Sequence, residues 1–298
     1  MILVTGASGF VGRYVVRALA GRGDRVRALV RDAAGAEVLD DVDCELARGD
    51  VTDPASLNEA ASACDSVVHL VAIIAGKPTA FEHVIAQGTT NVIAAAREAG
   101  ARRIVHMSAL GVGEATKDTV PYYRAKWAAE ESVRGSGLGH AILRPSFVFG
   151  PDGGALPQFL RIARLAPVTP IVGEGTQCLQ PVWVDDLARG VLLALDRSDT
   201  MEIELGGPDV VDWNELWERL KRALGTKRPT LHVPMWLMRP QALLLERLPS
   251  PPVTRDQLRM LELGDNVVSD GGRGMEQLGL RDLLPLAAQL SRAVARPG

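Results

Sequence analysis

The chain is poor in cysteine and has no paired cysteines. Cys44, Cys64 and Cys178 are odd in number and widely spaced, with no CxxC pair, so neither a disulfide framework nor a zinc site is indicated. They are expected to be buried thiols in a reducing compartment. There is no long Lys/Arg run, and the formal net charge is −3, so the basic face of a nucleic-acid binder is missing. The longest apolar stretches, Val67–Ala75 and Met235–Leu245, are too short or too interrupted by His69, Arg239 and Pro240 to span a bilayer. No repeat or low-complexity tract is present, and the chain opens on an apolar strand rather than a leader segment. The expectation is a cytoplasmic protein with no metal, no nucleic acid and no transmembrane segment.

What the sequence does have suits an α/β protein. Its 298 residues, 47% hydrophobic and 23% charged, suffice for one large α/β unit, or for a nucleotide-binding domain with a smaller appendage. Met1–Thr5 reads as a buried strand and runs straight into Gly6-Ala7-Ser8-Gly9-Phe10-Val11-Gly12. Arg13–Arg22 then repeats apolar residues at helical spacing. A chain leaving a central strand for a helix must turn tightly, which favours glycine at position 6. Gly9 lets a phosphate approach the backbone, and Gly12 lets the helix sit close to the strand. The free N–H groups of the helix start, with Ser8, Phe10 and Val11 beside them, then face an anion.

A second strand, Arg25–Val30, ends at Arg31 where a dinucleotide site chooses its cofactor. A carboxylate there binds ribose hydroxyls, whereas a guanidinium suits the extra phosphate of NADP. Arg31, with Arg13 as a second candidate, favours NADP(H), and the neighbouring Asp32 keeps NAD as the alternative. Cys44–Ala47 is a third strand leading to Gly49-Asp50-Val51, and Asp53-Pro54 reads as a helix N-cap. Ser66–Ile73 is a nearly continuous apolar strand holding His69, which reads as a core residue. Phe81–Ala99 is helical and stopped by Gly100. Arg103–Met107 is a fifth strand running into Ser108.

Val120–Gly135 reads as a helix that places Tyr122 and Lys126 four residues apart on one face. Ala141–Arg144 is a sixth strand, and Pro151 and Gly153-Gly154 mark a compositional shift near residue 150. Val182–Val184 looks like a strand returning to the main unit, with Asp185 or Asp186 capping a helix over Leu187–Leu195. Asp212 with Glu215, and Thr254 with Gln257, mark two further helix starts. The Met235–Leu245 stretch reads either as core of a small domain or as a pocket wall or membrane-facing patch.

The GxxGxxG turn, Gly49-Asp50, Tyr122-Tyr123-Arg124-Ala125-Lys126 and Arg144-Pro145 together resemble the extended and atypical short-chain dehydrogenase/reductases. Leu205-Gly206-Gly207-Pro208 and the Leu258–Asp270 stretch resemble the branch that includes the nucleotide-binding accessory subunit of respiratory complex I. The resemblance implies a Rossmann-type, doubly wound parallel sheet over residues 1–150, with segments near 180–207 returning to it. A smaller, mainly helical substrate lobe would follow over 151–298. It further implies that Asp50 meets the adenine amino group, that Val51 packs on the adenine ring, and that Val71-Ala72 forms a cofactor turn. Asn91 would support the active-site backbone, and Pro145 would pass beside the nicotinamide.

The resemblance implies that Tyr122 exchanges a proton with the substrate, while Lys126 and the nicotinamide ribose lower the phenol pKa. A Ser or Thr after the fifth strand normally holds the substrate oxygen. Aligned by its strand, Ser108 falls one or two residues early, and a two-residue slip restores it to that role; both registers stay open. Three functional readings follow. One is an oxidoreductase passing hydride between NADPH and a carbonyl-type group of an apolar small molecule. The second is a non-catalytic NADP(H)-binding structural or sensing protein. The third is a nucleotide-sugar epimerase or dehydratase. The branch also implies peripheral association with a membrane complex.

Overall fold

The computed structural model describes residues 1–246, 254–269 and 273–295, without the side chains of residues 243–245. Asp270 therefore lies outside the described residues. The chain begins β1 (Ile2–Thr5), α1 (Phe10–Arg22), β2 (Val26–Val30), α2 (Ala33–Glu37), β3 (Glu45–Arg48), α3 (Pro54–Ala61) and β4 (Ser66–His69). Next, α4 (Pro78–Phe81) passes through a π-helical turn, Glu82–Gln87, into α5 (Gly88–Glu98), followed by β5 (Arg103–Met107), α6 (Pro121–Arg134) and β6 (Gly139–Pro145). After β7 (Val148–Phe149), α7 (Leu156–Leu165), β8 (Thr169–Val172), β9 (Cys178–Leu179) and β10 (Val182–Trp183) come α8 (Val184–Asp196) and β11 (Met201–Leu205). The remainder is β12 (Val211–Asp212), α9 (Trp213–Leu224), β13 (Thr230–Val233), α10 (Met235–Leu245), α11 (Arg255–Glu262), α12 (Arg273–Gln277) and α13 (Leu286–Ala295).

These elements form two compact units. The first comprises Met1–Pro145, Val184–Leu205 and Arg273–Arg281; the second comprises Ser146–Trp183, Gly206–Gly272 and Asp282–Gly298. The first holds a seven-stranded sheet in the order β11-β6-β5-β4-β1-β2-β3, with every pair parallel. This is a Rossmann-type α/β fold, and β1 is interior to it. The strand order reverses between β1 and β4, which is where such sheets bind ligands.

Parallel strands covered by helices must be apolar on both faces, and β5 is buried at every residue. Leu3, Val67 and Ile104 are successive register partners across β1, β4 and β5. They share a core with Leu57, Val92 and Val133 from α3, α5 and α6. Fully burying each such side chain contributes roughly 1.5–3 kcal/mol.

Three local readings are corrected. β4 ends at His69, not Ile73, because β1 turns away at Gly6 with φ +73° and leaves no ladder partner beyond Leu70, whose N–H bonds Thr5 O. Val182–Trp183 pairs with β7 in the second unit rather than joining the seven-stranded sheet, while Val184 begins α8; the strand added to the sheet is β11. Among the thiols only Cys64 is buried, Cys44 and Cys178 being partly exposed.

The second unit has an aromatic core. Phe159 sits between Trp213 and Trp217, with centroids 5.6 and 5.5 Å away, and Phe149, Leu156, Leu216 and Leu286 close around them. Asp212 caps α9 through Glu215 N, and Thr254 and Gln257 complete a reciprocal capping box on α11.

Candidate cofactor and catalytic site

Because the sheet is parallel, the segments following its strands emerge along one edge. Gly6 follows β1, Arg31 follows β2, Asp50 and Val51 lie just beyond β3, Val71 and Ala72 just beyond β4, Ser108 follows β5, and Pro145 ends β6. These segments all belong to the first unit and to this edge, and α6, which carries Tyr122 and Lys126, belongs to the same unit.

The glycine turn is closed by its own backbone. At Gly12 an added Cβ would lie 2.0 Å from Gly6 O and 2.8 Å from Ala7 O, so helix and turn are in direct contact. At Gly6 the positive φ combines with Leu70 C and Val71 N at 3.0 Å from where a Cβ would sit. That contact brings the Val71 segment against the turn. Gly9 is the N-cap of α1 and supplies no side-chain cap. The first N–H groups of a 13-residue helix are therefore available to an anion.

Around the turn, Ser8 lies beside Gly35: a Cβ on Gly35 would stand 3.1 Å from Ser8 Oγ. Asp32 is committed elsewhere, its Oδ1 accepting from Gly35 N at 2.8 Å as the cap of α2. Arg31 is exposed at the end of β2. The Arg13 guanidinium lies 5.8 Å from the ring centroids of both Phe10 and Tyr14. Asp50 Oδ1 accepts from Thr52 N and Thr52 Oγ1, both at 2.8 Å. Val51 is buried against Gly88, and its carbonyl accepts from Asn91 Nδ2 at 2.9 Å. Asn91 therefore braces the loop after β3, where the resemblance implied support of the active-site backbone. Ala72 is exposed.

α6 begins at Pro121 after the extended Val120 and carries Tyr122 and Lys126 on one face. The fully buried Lys126 ammonium donates to Met107 O at 2.7 Å, leaving two N–H groups unused. Burial lowers its pKa to about 8, against the opposing pull of Glu130. Met107 is followed by Ser108, whose N–H still bonds Leu143 O at 2.7 Å. Ser108 Oγ is buried and has no hydrogen-bond partner among the described residues. Pro145 O accepts from Leu110 N at 3.0 Å and so anchors the loop beyond Ser108. The Tyr122 ring packs edge-on to Phe81, centroids 6.0 Å apart.

Burial, with Tyr123 as a lesser cause, pushes the Tyr122 phenol above its ordinary value. Burial is the larger of these two causes; the lowering that the resemblance implies involves the nicotinamide ribose together with Lys126.

Two features escaped sequence reasoning. Glu130, one turn beyond Lys126 and fully buried, is gripped by Arg144 at 2.8 and 2.6 Å and by Arg134 at 2.8 Å. Glu202 on β11 ties the same arginines together. The network locks α6 to β6 and β11; the Lys126-Glu130-Arg134 spacing of four was its visible signal.

The second is a buried histidine pair. His69 and His106 are register partners on β4 and β5, stacked with centroids 5.3 Å apart. Thr89 Oγ1 donates to Ile85 O, so it accepts from His69 Nε2, leaving Nδ1 to accept from Thr5. Burial, then Lys126, lowers the His69 pKa to about 3, so it is a neutral core residue. His106 is likewise held neutral, and neither of its ring nitrogens has a partner among the described residues.

A nicotinamide dinucleotide fits these residues on two observations: a cradle at Gly6–Gly12 that a Cβ would fill, and an orphaned buried hydroxyl at Ser108 beside Lys126. The chain resembles a ceramide reductase of Caulobacter vibrioides, 30% identical over 238 residues covering 78% of this chain and 74% of the relative. It also resembles the Arabidopsis thaliana mitochondrial NADH dehydrogenase [ubiquinone] 1 alpha subcomplex subunit 9, 28% identical over 95% of this chain and 73% of that protein. The crystal structure of gox2253 superposes with a TM-score of 0.79 at 28% identity, covering 99% of this chain and 97% of that one. The description "NAD dependent epimerase/dehydratase family" matches residues 2–206. A nicotinamide cofactor is thus common ground between family and geometry, and the chain belongs to the NAD dependent epimerase/dehydratase family of extended short-chain dehydrogenase/reductases.

Proposed function

We propose that the protein is an NADPH-dependent reductase of a carbonyl group on an apolar small molecule. The observation carrying this reading is that Lys126 bonds the carbonyl of Met107 immediately before Ser108, whose hydroxyl is unpaired, on the helix that carries Tyr122. When bound, NADPH would supply the hydride that the carbonyl carbon receives, being oxidised to NADP+. Ser108 donates a hydrogen bond to the carbonyl oxygen, and Tyr122 gives that oxygen its phenolic proton, returning to the phenol by uptake from water. A phenol pushed above its usual pKa is protonated at neutral pH, which is the state a proton donor needs for reduction. Lys126, which donates to Met107 O, would hold the cofactor's ribose with its remaining N–H groups.

The preference for NADPH rests on Arg31 as phosphate partner and on Asp32 being engaged as a helix cap. The apolar substrate class is supported by the ceramide reductase relative. The second unit is assigned the substrate-binding surface.

A second reading, a protein that holds NADP(H) without turnover, is favoured by the likeness to the complex I subunit over 95% of this chain. NADPH consumption is the test with long-chain ketones, aldehydes and quinones; nucleotide sugars are assayed in parallel by product analysis, since their epimerisation or dehydration consumes no NADPH. Reduction of the apolar carbonyls is expected. Turnover of nucleotide sugars alone would overturn the proposal, and tight NADPH binding with no turnover of any compound would establish the second reading.

A further inference from the structure

The second unit is close to neutral as a whole, but two of its segments are basic. Residues 161–173 and 219–245 contain basic residues and no acidic one, in a protein whose net charge is −3. The structure joins these segments, β8 pairing with β13 from Thr169↔Thr230 to Val172↔Val233, and Arg228 donating to Ala166 O. Arg161, Arg164, Arg222 and Lys227 are exposed and have no ion-pair partner among the described residues. Lys221 and Arg222 sit in the last turn of α9, where the helix dipole favours cations. The same holds for Arg164 in the last turn of α7, but that explanation does not reach Arg161 or Lys227.

The same segments expose large apolar side chains: Leu165 at 69%, Leu231 at 51%, Trp236 at 73% and Leu237 at 38%. Leu231 is the register partner of Pro170, which is also exposed, and Trp236 opens α10 directly after β13. Exposed tryptophan and leucine cost solvation free energy that a soluble surface usually avoids. The cations of α7 and Lys227 precede the parallel β8–β13 pair, Leu231 and Pro170 lie along it, and Trp236 and Leu237 follow it; such a strip suits an anionic lipid–water interface, with the ring at headgroup depth and ammonium or guanidinium groups against the phosphates.

We propose that this surface, formed by the end of α7, the β8–β13 pair and the start of α10, docks the protein on an anionic lipid bilayer. Among the described residues no helix is long and apolar enough to cross a membrane, so the attachment is peripheral. A protein of net negative charge is repelled by such a bilayer unless its cations are segregated, and here they are. The docking surface lies wholly in the second unit and stands independently of the catalytic reading.

The test is co-sedimentation of the full chain with phosphatidylcholine vesicles, with and without phosphatidylglycerol. Binding is expected only when phosphatidylglycerol is present, and it should weaken as salt is raised. Each cation at an anionic surface contributes roughly fivefold to partitioning, so a variant combining R161A, R164A and K227A should bind about a hundredfold more weakly. Trp236→Ser with Leu237→Ser should also lose at least about tenfold, since both apolar contacts are removed. NADPH titration of the same variants, expected to match the parent, confirms that they are folded and keeps this test separate from the cofactor reading. No sedimentation with either vesicle, equal binding to pure phosphatidylcholine, or anionic-vesicle binding that survives both sets of substitutions would each overturn the proposal. So would equal binding to soluble heparin with no dependence on Trp236, which would mark a polyanion or acidic-protein site.

Discussion

At the end of β1 the first unit presents backbone, whereas at the end of β5 and on α6 it presents side chains. The glycine turn needs only that no Cβ be present: Gly12 leaves room for Gly6 O, and the first N–H groups of α1 have no side-chain cap. The Tyr122–Lys126 face depends on what surrounds it. Its lysine is pushed toward neutrality and its phenol away from ionisation by burial, and a buried glutamate with two arginines holds the helix that bears them. One site is therefore fixed by covalent geometry, and the other is tuned by its environment.

The largest effect expected from breaking this arrangement is at Glu130. Replacing Glu130 by Gln leaves Arg144 and Arg134 short of a buried counter-ion, and removing one partner of such a group typically costs about 3–5 kcal/mol. Urea unfolding measures that loss. On the backbone side, Gly12→Ala places a methyl group on a carbonyl oxygen that cannot retreat without opening the turn. A loss of about 3 kcal/mol is expected, with NADPH affinity falling alongside stability; unchanged titration and unfolding curves would mean that the close contact carries no function.

Smaller is the effect at the cofactor's far end. Arg31→Ala should weaken NADPH by about 1.5–3 kcal/mol, the worth of a charge-assisted hydrogen bond, and leave NADH unaltered, as read by paired titrations. Equal affinity of the parent for both cofactors would remove the NADP preference.

The pH dependence of stability sharpens the comparison last. Lys126 titrates near 8 in the folded chain against 10.5 ordinarily, so between those values the unfolded chain binds more protons and stability rises with pH. Below about pH 8 the full cost of the buried charge is present. The slope cannot exceed about 1.4 kcal/mol per pH unit, and in Lys126→Met this contribution should be absent.

The two sites were not equally legible in the sequence. The glycine turn could be read because its requirement is local, three glycines between a strand and a helix, and the same holds for the caps at Asp212 and Thr254. β4 was read four residues too long because Leu70–Ile73 is apolar, while its end is set by Gly6 on a neighbouring strand. Val182–Trp183 has strand character, but which strand it pairs with is a tertiary fact. Tyr122 and Lys126 were visible from their spacing, and the direction of the phenol's pKa was not, since burial by Phe81 and the π-helical turn is invisible in a linear pattern. The Glu130–Arg144–Glu202 network and the His69–His106 stack are long-range in the same way. Each joins residues that only the sheet order brings together.

The central claim is that a site built on backbone and a site built on tuned side chains serve one reaction, and Tyr122→Phe tests it most directly. NADPH affinity and NADPH-dependent reduction of an apolar carbonyl would be measured on the same preparation. The account predicts unchanged affinity and a turnover lower by about 100- to 10,000-fold, the usual contribution of a positioned proton donor. Turnover equal to that of the parent protein would contradict it.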